Sequence, residues 1–517
     1  MESISKSRFN NSARNVGFSM IAQVLTIILN IAGRRVFLTV LDAKYLGVST
    51  AFSSILNVLS LAELGVGSAI IYSLYKPIAE NNETKICALM GLYRKVYWIV
   101  GLFILIVGAA LTPFLDFFVQ EMPDIPHIRL IYILLVIQTA SAYFFSYKTN
   151  FLSATQQGYI TQKYQMIISV AQLILQIGVL LITQNYFSYL ILGIALPLLR
   201  NILVSKRVDL MYPFIRKKPG RLDKSETDTI KKNVFALFLY KISNTLSTTI
   251  DTILISKMLG VIEVAVYSNY HFIINYSDLL FINVLGAVTP SIGNLMTTDD
   301  VEKKKNFLST LQMLYMWIAT YLAVGLIVLF NPLIKIWLGE EYLFPEAIVI
   351  ALVISITLTN FQRPCSLMRD ANGLFWYGKL RPLAMAIINV VASIILTKMY
   401  GTIGVVIGTC ISKIATFVWY DPYVVFKHTL KSGMKQYFVK YIYNWAVLAV
   451  LAGLCYFLFA MIPFEGIGAF MLGVVMITII VNGALFFLNF KTKEFSYLME
   501  MSSGIRNKLK GKFSHIR

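Results

Sequence analysis

A run of about 20 apolar residues recurs from end to end of this chain, with charged clusters between the repeats. At ~1.5 Å per residue, about 20 residues of helix cross the ~30 Å of hydrocarbon in a bilayer. In hydrocarbon each backbone N–H and C=O must be satisfied within the protein, so spans of this length form helices. Only 14% of the 517 residues are charged, against about a quarter in a soluble domain. The chain is therefore read as an all-α membrane protein with about fourteen transmembrane helices.

The expected spans are 15–40, 46–75, 92–114, 128–150, 160–184, 186–205, 233–258, 261–290, 308–338, 346–368, 376–398, 402–426, 440–462 and 467–490. The chain opens polar and basic (Lys6, Arg8, Arg14) with no small-residue cleavage site before the first span, so that span is expected to be retained. Alternate connections are basic. Lys76, Lys85, Arg94 and Lys95 lie in one, and Lys206, Arg207, Arg216, Lys217, Lys218, Arg221, Lys224, Lys231 and Lys232 in the longest, 206–232. Lys303 to Lys305, then Lys427, Lys431 and Lys435, follow in later ones, and the tail adds Lys508, Lys510 and Lys512. The intervening loops are short and acidic: Asp116, Glu121 and Asp124, then Glu340, Glu341 and Glu346, then Glu465. The positive-inside rule puts the basic loops and both termini in the cytoplasm. The net charge of +20 thus records topology, and no nucleic-acid partner is expected.

The sequence repeats itself. Leu46-Gly47-Val48 closes the first connection, and Leu259-Gly260-Val261 closes the one after span seven. Gln157-Gly158 separates spans four and five, and Asn372-Gly373 separates spans ten and eleven. Gly158 follows Gly47 by 111 residues and Gly373 follows Gly260 by 113. Agreement in spacing and in loop identity implies two six-helix lobes, 1–205 and 233–426, joined by the basic linker 206–232. Residues 427–517, with two further spans and the basic tail, are an appendage.

Several spans carry polar stripes. Ser19, Gln23, Thr26, Asn30 and Arg34 share one face of span one, and Ser49, Ser53, Asn57, Ser60 and Glu63 one face of span two. Span seven has Lys241, Asn244, Thr248 and Asp251, and span eight has His271, Asn275 and Asp278. Polar groups in a membrane face partners or water, so a hydrated central cavity between the lobes is expected. The plainer reading makes Ser, Thr and Asn interhelical glue, and makes Arg34 and Arg35 anchors that snorkel to the interface. Arg34, on the polar face, is preferred to Arg35 as a cavity residue. Lys148 lies ten residues before Gly158, and Arg363 ten before Gly373, so the duplication places a cation at equivalent points of both lobes. They are either matched inner-interface anchors or two cations converging on an anionic ligand. Glu63, Asp251 and Asp278 either pair with such cations or bind a coupling proton or sodium ion.

There is no G-x-x-x-x-G-K-[ST], no G-x-G-x-x-G after a strand and no H-E-x-x-H. The four histidines, His127, His271, His428 and His515, are scattered, and Cys87, Cys365, Cys410 and Cys455 form no C-x-x-C. No cofactor or metal is expected. No soluble segment is long enough for a nucleotide-binding domain, so energy for transport would come from an H+ or Na+ gradient, the membrane potential or removal of the substrate.

With these residues laid out, the chain resembles the polysaccharide-transporter family, the Wzx-type repeat-unit flippases of the multidrug/oligosaccharidyl-lipid/polysaccharide exporter superfamily. The likeness lies in Leu46-Gly47-Val48, in Leu59 to Ile70 with its Leu-Ala-Glu-Leu-Gly run, and in Tyr75-Lys76-Pro77. It continues in Val266-Tyr267-Ser268-Asn269-Tyr270, Pro290-Ser291-Ile292-Gly293-Asn294, and Arg381-Pro382-Leu383 through Asn389 to Gly404 and Gly408-Thr409. The resemblance implies translocation of undecaprenyl-diphosphate-linked oligosaccharide from inner to outer leaflet of the bacterial cytoplasmic membrane by alternating access. By the same analogy, Arg34, Lys148, Lys241 and Arg363 would hold the diphosphate or sugar acids, and the lipid tail would stay in the bilayer. Polysaccharide polymerase and glycosyltransferases of the same pathway are the implied protein partners. The rivals are an exporter of teichoic-acid precursor, lipid II or drugs, and an enzyme such as a membrane-embedded polymerase. An enzyme is disfavoured, because it would call for a large extracytoplasmic loop or a cytoplasmic domain with paired acidic residues.

Overall fold

The computed structural model describes residues 25–63, 66–155, 157–216, 249–286, 300–374 and 380–500, with residues 23, 222, 227, 228, 230, 234, 377 and 378. Among these all regular structure is helical. The first helices are α1 (25–40), α2 (Ala43–Leu59), α3 (Val66–Ala79), α4 (Glu83–Ala110), α5 (Ile128–Ala154), α6 (Gly158–Thr183) and α7 (Tyr186–Met211). Then come α8 (249–258), α9 (Val261–Gly286), α10 (Val301–Trp337), α11 (Glu346–Ala371), α12 (Arg381–Tyr400), α13 (Thr402–Leu430), α14 (Lys435–Ala460) and α15 (Ile467–Asn489). Ten of the helices among the described residues are long and apolar enough to cross a membrane. The chain is a multi-pass membrane protein.

Helix starts follow from polar residues in the connections. Asp42, Asn82, Asn185 and Asp300 accept the first-turn N–H groups of Lys44 at 3.0 Å, Lys85 at 3.0 Å, Phe187 at 2.7 Å and Lys303 at 2.9 Å. Each such cap stabilises its helix by roughly 1 kcal/mol. Between α12 and α13, Gly401 has φ +67°, a left-handed value that L side chains adopt only with strain. It turns the chain straight back on itself, so α13 runs against α12. The contact needs bare backbone: a Cβ on Gly404 would lie 2.3 Å from the Leu396 carbonyl, and one on Gly408 2.4 Å from Ser393 Oγ. In lipid this small-residue approach replaces the hydrophobic drive that lipid tails cancel.

The chain divides into two compact units, Met1–Ala265 and Val266–Arg517. In the first, α5 packs on both α4 and α7. One buried cluster, with Phe52, Tyr132, Val136 and Leu190, fills one end of these helices. Another, with Tyr93, Tyr97, Phe151 and Val208, fills the opposite end. In the second unit α11 packs between α10 and α13. The C-terminal pair α14 and α15 packs on α10 through Val324, Val328, Leu451, Cys455, Ile477 and Val481. Trp317 Nε1 fixes the register by donating to Asn482 Oδ1 at 3.0 Å.

Several helices outrun the expected spans. α4 starts at Glu83 rather than 92, α7 runs to Met211 rather than 205, and α10 starts at Val301 rather than 308. An apolar run marks only the part of a helix that lies in hydrocarbon, whereas the backbone ladder continues until a cap ends it. The second span, expected as one helix over 46–75, is broken. α2 ends at Leu59, a 3₁₀ turn covers Ser60–Glu63, and α3 begins at Val66. Tyr93 Oη donates to the Gly67 carbonyl at 2.6 Å beside the break. A break inside a span survives only where the protein supplies such partners. Of expected span seven only 234 and 249–258 are described, so Lys241, Asn244 and Thr248 lie outside the described residues.

Candidate functional site

The first unit holds a cationic cleft where α4, α5 and α7 converge. Lys148 sits in the last two turns of α5 and is 9% exposed. Its Nζ lies 2.7 Å from Asp209 Oδ1 and 2.8 Å from Oδ2, and donates to Ser205 Oγ at 2.8 Å. Asp209 and Ser205 both belong to α7. The turn after α7 brings Arg216 to 3.3 Å from Asp209 Oδ2. Cys87 Sγ contacts the Phe214 carbonyl at 3.0 Å and fastens this turn to the start of α4. The cleft encloses about 590 Å³, and Arg94, Lys95, Trp98 and Tyr147 complete its walls. Four cations therefore face one carboxylate. Among the described residues neither Arg94 nor Lys95 is ion-paired. Low-dielectric walls focus the field of such a cleft and favour anions in it. Phosphate suits it best, because its oxygens accept several charge-assisted hydrogen bonds at once.

The second unit carries charges at the corresponding helix ends but spends them internally. Arg363, which the sequence spacing pairs with Lys148, donates one nitrogen to both oxygens of Asp278, at 3.0 and 3.1 Å. This brings together two residues flagged by the sequence, on α11 and α9. Nearly two turns later Arg369 donates to Asp421 Oδ1 at 2.7 Å and to Asp370 Oδ1 through two nitrogens at 2.7 and 3.0 Å. Arg381 reaches Asp421 Oδ2 at 3.1 Å, and Ser366 Oγ donates to the same oxygen at 2.6 Å. Asp421 is 0% exposed and Arg369 3%. This network ties α11, α12 and α13 together. Beside it, α13 contains π-helical turns at Lys413–Phe417 and Phe426–Leu430, with Pro422 between them.

The remaining candidates are spread out. In α1, Arg34 is half-buried and Arg35 exposed. Glu63, in the 3₁₀ turn that breaks span two, accepts from Tyr97 Oη at 2.9 Å, and Asn150 Nδ2 donates to that same Oη at 2.9 Å. Asp251 is buried in α8. Sequence reasoning missed Asp209, Arg369 and Asp421. For Asp421 the signal was available, since a carboxylate inside the apolar run 402–426 marks a partnered site.

The profile of a family described as polysaccharide biosynthesis protein matches residues 37–345. No curated protein matches the chain. Among solved structures, the fold is similar to the lipid II flippase MurJ in an inward closed conformation. The TM-score is 0.62 at 16% identity, over 91% of this chain and 98% of that one. It is also similar to an inward-facing multidrug resistance MATE family transporter of the MOP superfamily, with TM-score 0.60 at 16% identity over 79% of this chain and 96% of the other. A MOP superfamily transporter from Pyrococcus furiosus with a binding pocket of reverse polarity gives TM-score 0.54 at 16% identity, over 80% and 95% of the respective chains.

Proposed function

Because the chain belongs to the polysaccharide biosynthesis protein family, we propose that it is a flippase for undecaprenyl-diphosphate-linked oligosaccharide repeat units. It moves them from the inner to the outer leaflet of the bacterial cytoplasmic membrane by alternating access, for polysaccharide of the capsule or O-antigen type. The observation that carries this reading is the extent of the shared fold. Likeness to the lipid II flippase takes in 91% of this chain, against 79% for the multidrug transporter. The multidrug transporter is matched over 96% of its own chain yet accounts for 79% of this one, so this chain carries fold beyond it. The pair α14 and α15, packed on α10, follows the two six-helix runs expected from the sequence, and a fold larger than the multidrug transporter's supports a lipid-linked substrate.

In this reading both termini face the cytoplasm, and Arg34, Arg35, Lys148, Lys241 and Arg363 serve the anionic headgroup. Arginine contributes a planar multi-donor fork to phosphate, and lysine a point charge. Glu63, Asp251 and Asp278 balance these cations or carry a coupling H+ or Na+. The chain acts as a carrier rather than an enzyme, and hands its cargo to the polymerase of the same pathway.

The test is deletion of the gene, followed by mass spectrometry of lipid-linked glycans with their leaflet distribution. The expected result is a complete repeat unit accumulating on the cytoplasmic face while surface polymer is lost. Accumulation on the outer face would overturn the reading in favour of a polymerase. Accumulation of lipid II or a teichoic-acid precursor would keep the activity and change the substrate, and unchanged lipid-linked glycans would point to a small-molecule exporter.

A further inference from the structure

Two cation–aspartate pairs, one in each unit, sit in two different settings. In both, a cation near the end of one helix meets an aspartate on the helix after next: Lys148 with Asp209, and Arg369 with Asp421. The Asp421 carboxylate is fully buried and saturated by Arg369, Arg381 and Ser366. That pair holds helices together and has nothing to offer a ligand. The Lys148–Asp209 pair instead floors a cleft of about 590 Å³, with Arg94 and Lys95 exposed on its wall. A helix clamp requires neither the cleft nor the surplus of charge.

We propose that this cleft binds a phosphate-bearing lipid headgroup, with Arg94, Lys95 and Arg216 as its donors and the Lys148–Asp209 pair as its base. Two features favour a lipid over a dissolved anion. Trp98, 44% exposed, stands at the rim with Tyr147. Rings with one apolar and one polar edge settle at headgroup depth, where lipid phosphates lie. Arg94 and Lys95 also sit about one turn before Trp98 on α4, at the end where its charged first turns meet the apolar run that begins near residue 92. Asp209 already engages Lys148 and Arg216. An incoming phosphate therefore meets Arg94 and Lys95 first and shares Arg216, with no buried charge stripped of its partner. The site stands independently of the flippase reading, because a resident phospholipid and a travelling lipid diphosphate present the same chemistry.

The full chain, purified in detergent, is examined by native mass spectrometry with undecaprenyl diphosphate, phosphatidylglycerol, diacylglycerol or soluble pyrophosphate added. The wild type should retain at least one of the phosphate lipids, and the Arg94→Gln/Lys95→Gln double variant at least about tenfold less of it. Both side chains are exposed, so an unchanged melting curve is the folding control. Preference for undecaprenyl diphosphate would support the site as a stage for the proposed substrate, and preference for phosphatidylglycerol would support it as a resident-lipid site. Equal retention by the double variant, or diacylglycerol held as well as the phosphate lipids, would overturn the proposal. Pyrophosphate binding as tightly as either lipid would overturn the headgroup assignment.

Discussion

Arg369 on α11 donates to Asp421 on α13 at 2.7 Å, with both side chains almost completely buried. Removing one member of such a pair leaves an uncompensated charge, a loss of about 3–5 kcal/mol. Arg369→Ala should therefore unfold at a clearly lower temperature than wild type. Lys148→Ala should cost less, because Asp209 keeps Arg216 and opens on a cleft. Melting curves of the detergent-purified variants check the ranking. The reverse order would mean that the clamp is in the first unit.

Close packing of α12 on α13 makes a second prediction. A Cβ at position 408 would meet Ser393 Oγ at 2.4 Å and the Ser393 backbone nitrogen at 2.7 Å. Backbone cannot rotate away as a side chain can, so the helices must separate. Gly408→Val should destabilise by roughly 1–3 kcal/mol or more. Replacing Gly453, which has open space around it, with alanine should be tolerated. Yield and melting temperature of the two variants measure the contrast.

The span pattern was legible because hydrocarbon thickness imposes a length on every helix. Lys148 was legible because the duplication pointed to it. Its partner was not, since Asp209 lies past the apolar run 186–205, in what reads as the start of a basic loop. The structure continues α7 to Met211 and carries Asp209 over Lys148. Arg94 and Lys95 were counted among the charges of a basic connection; in the structure they lie three turns inside α4, which starts at Glu83, and form a wall of the cleft. The break at Ser60–Glu63 was also unread. The groups that brace it, Tyr93 and Tyr97 on α4 with Asn150 on α5, lie far away in sequence.

Arg363 and Asp278 form a pair that charge exchange can test. Each is partly exposed, the side chains at 19% and 28%, so the pair is a helix tie that is not sealed in the core. Arg363→Ala should abolish surface polymer in a deletion strain while the protein still inserts. The exchanged variant, Arg363→Asp with Asp278→Arg, should regain stability through the restored pair. It should not regain export if the cation must stand on α11 to meet the substrate. Wild-type polymer from the single alanine variant would remove Arg363 from the substrate path.

Glu63 allows the coupling question to be put without disturbing the fold. Its Oε1 accepts from Tyr97 Oη at 2.9 Å, in a chain continued by Asn150. A glutamine at this position keeps an oxygen acceptor for Tyr97 and loses the negative charge. Glu63→Gln should therefore melt close to wild type, within about 1 kcal/mol, since the neutral hydrogen bond is retained. If Glu63 binds the coupling proton or sodium ion, flipping by this variant in proteoliposomes should no longer respond to an imposed ion gradient. Tyr97→Phe supplies the complementary test. It leaves the carboxylate in place but removes its donor and the acceptor of Asn150, so it should lower stability while preserving a gradient response. A Glu63→Gln variant that responds to the gradient as wild type does would exclude Glu63 from coupling and leave it as the partner that holds Tyr97 at the break in span two.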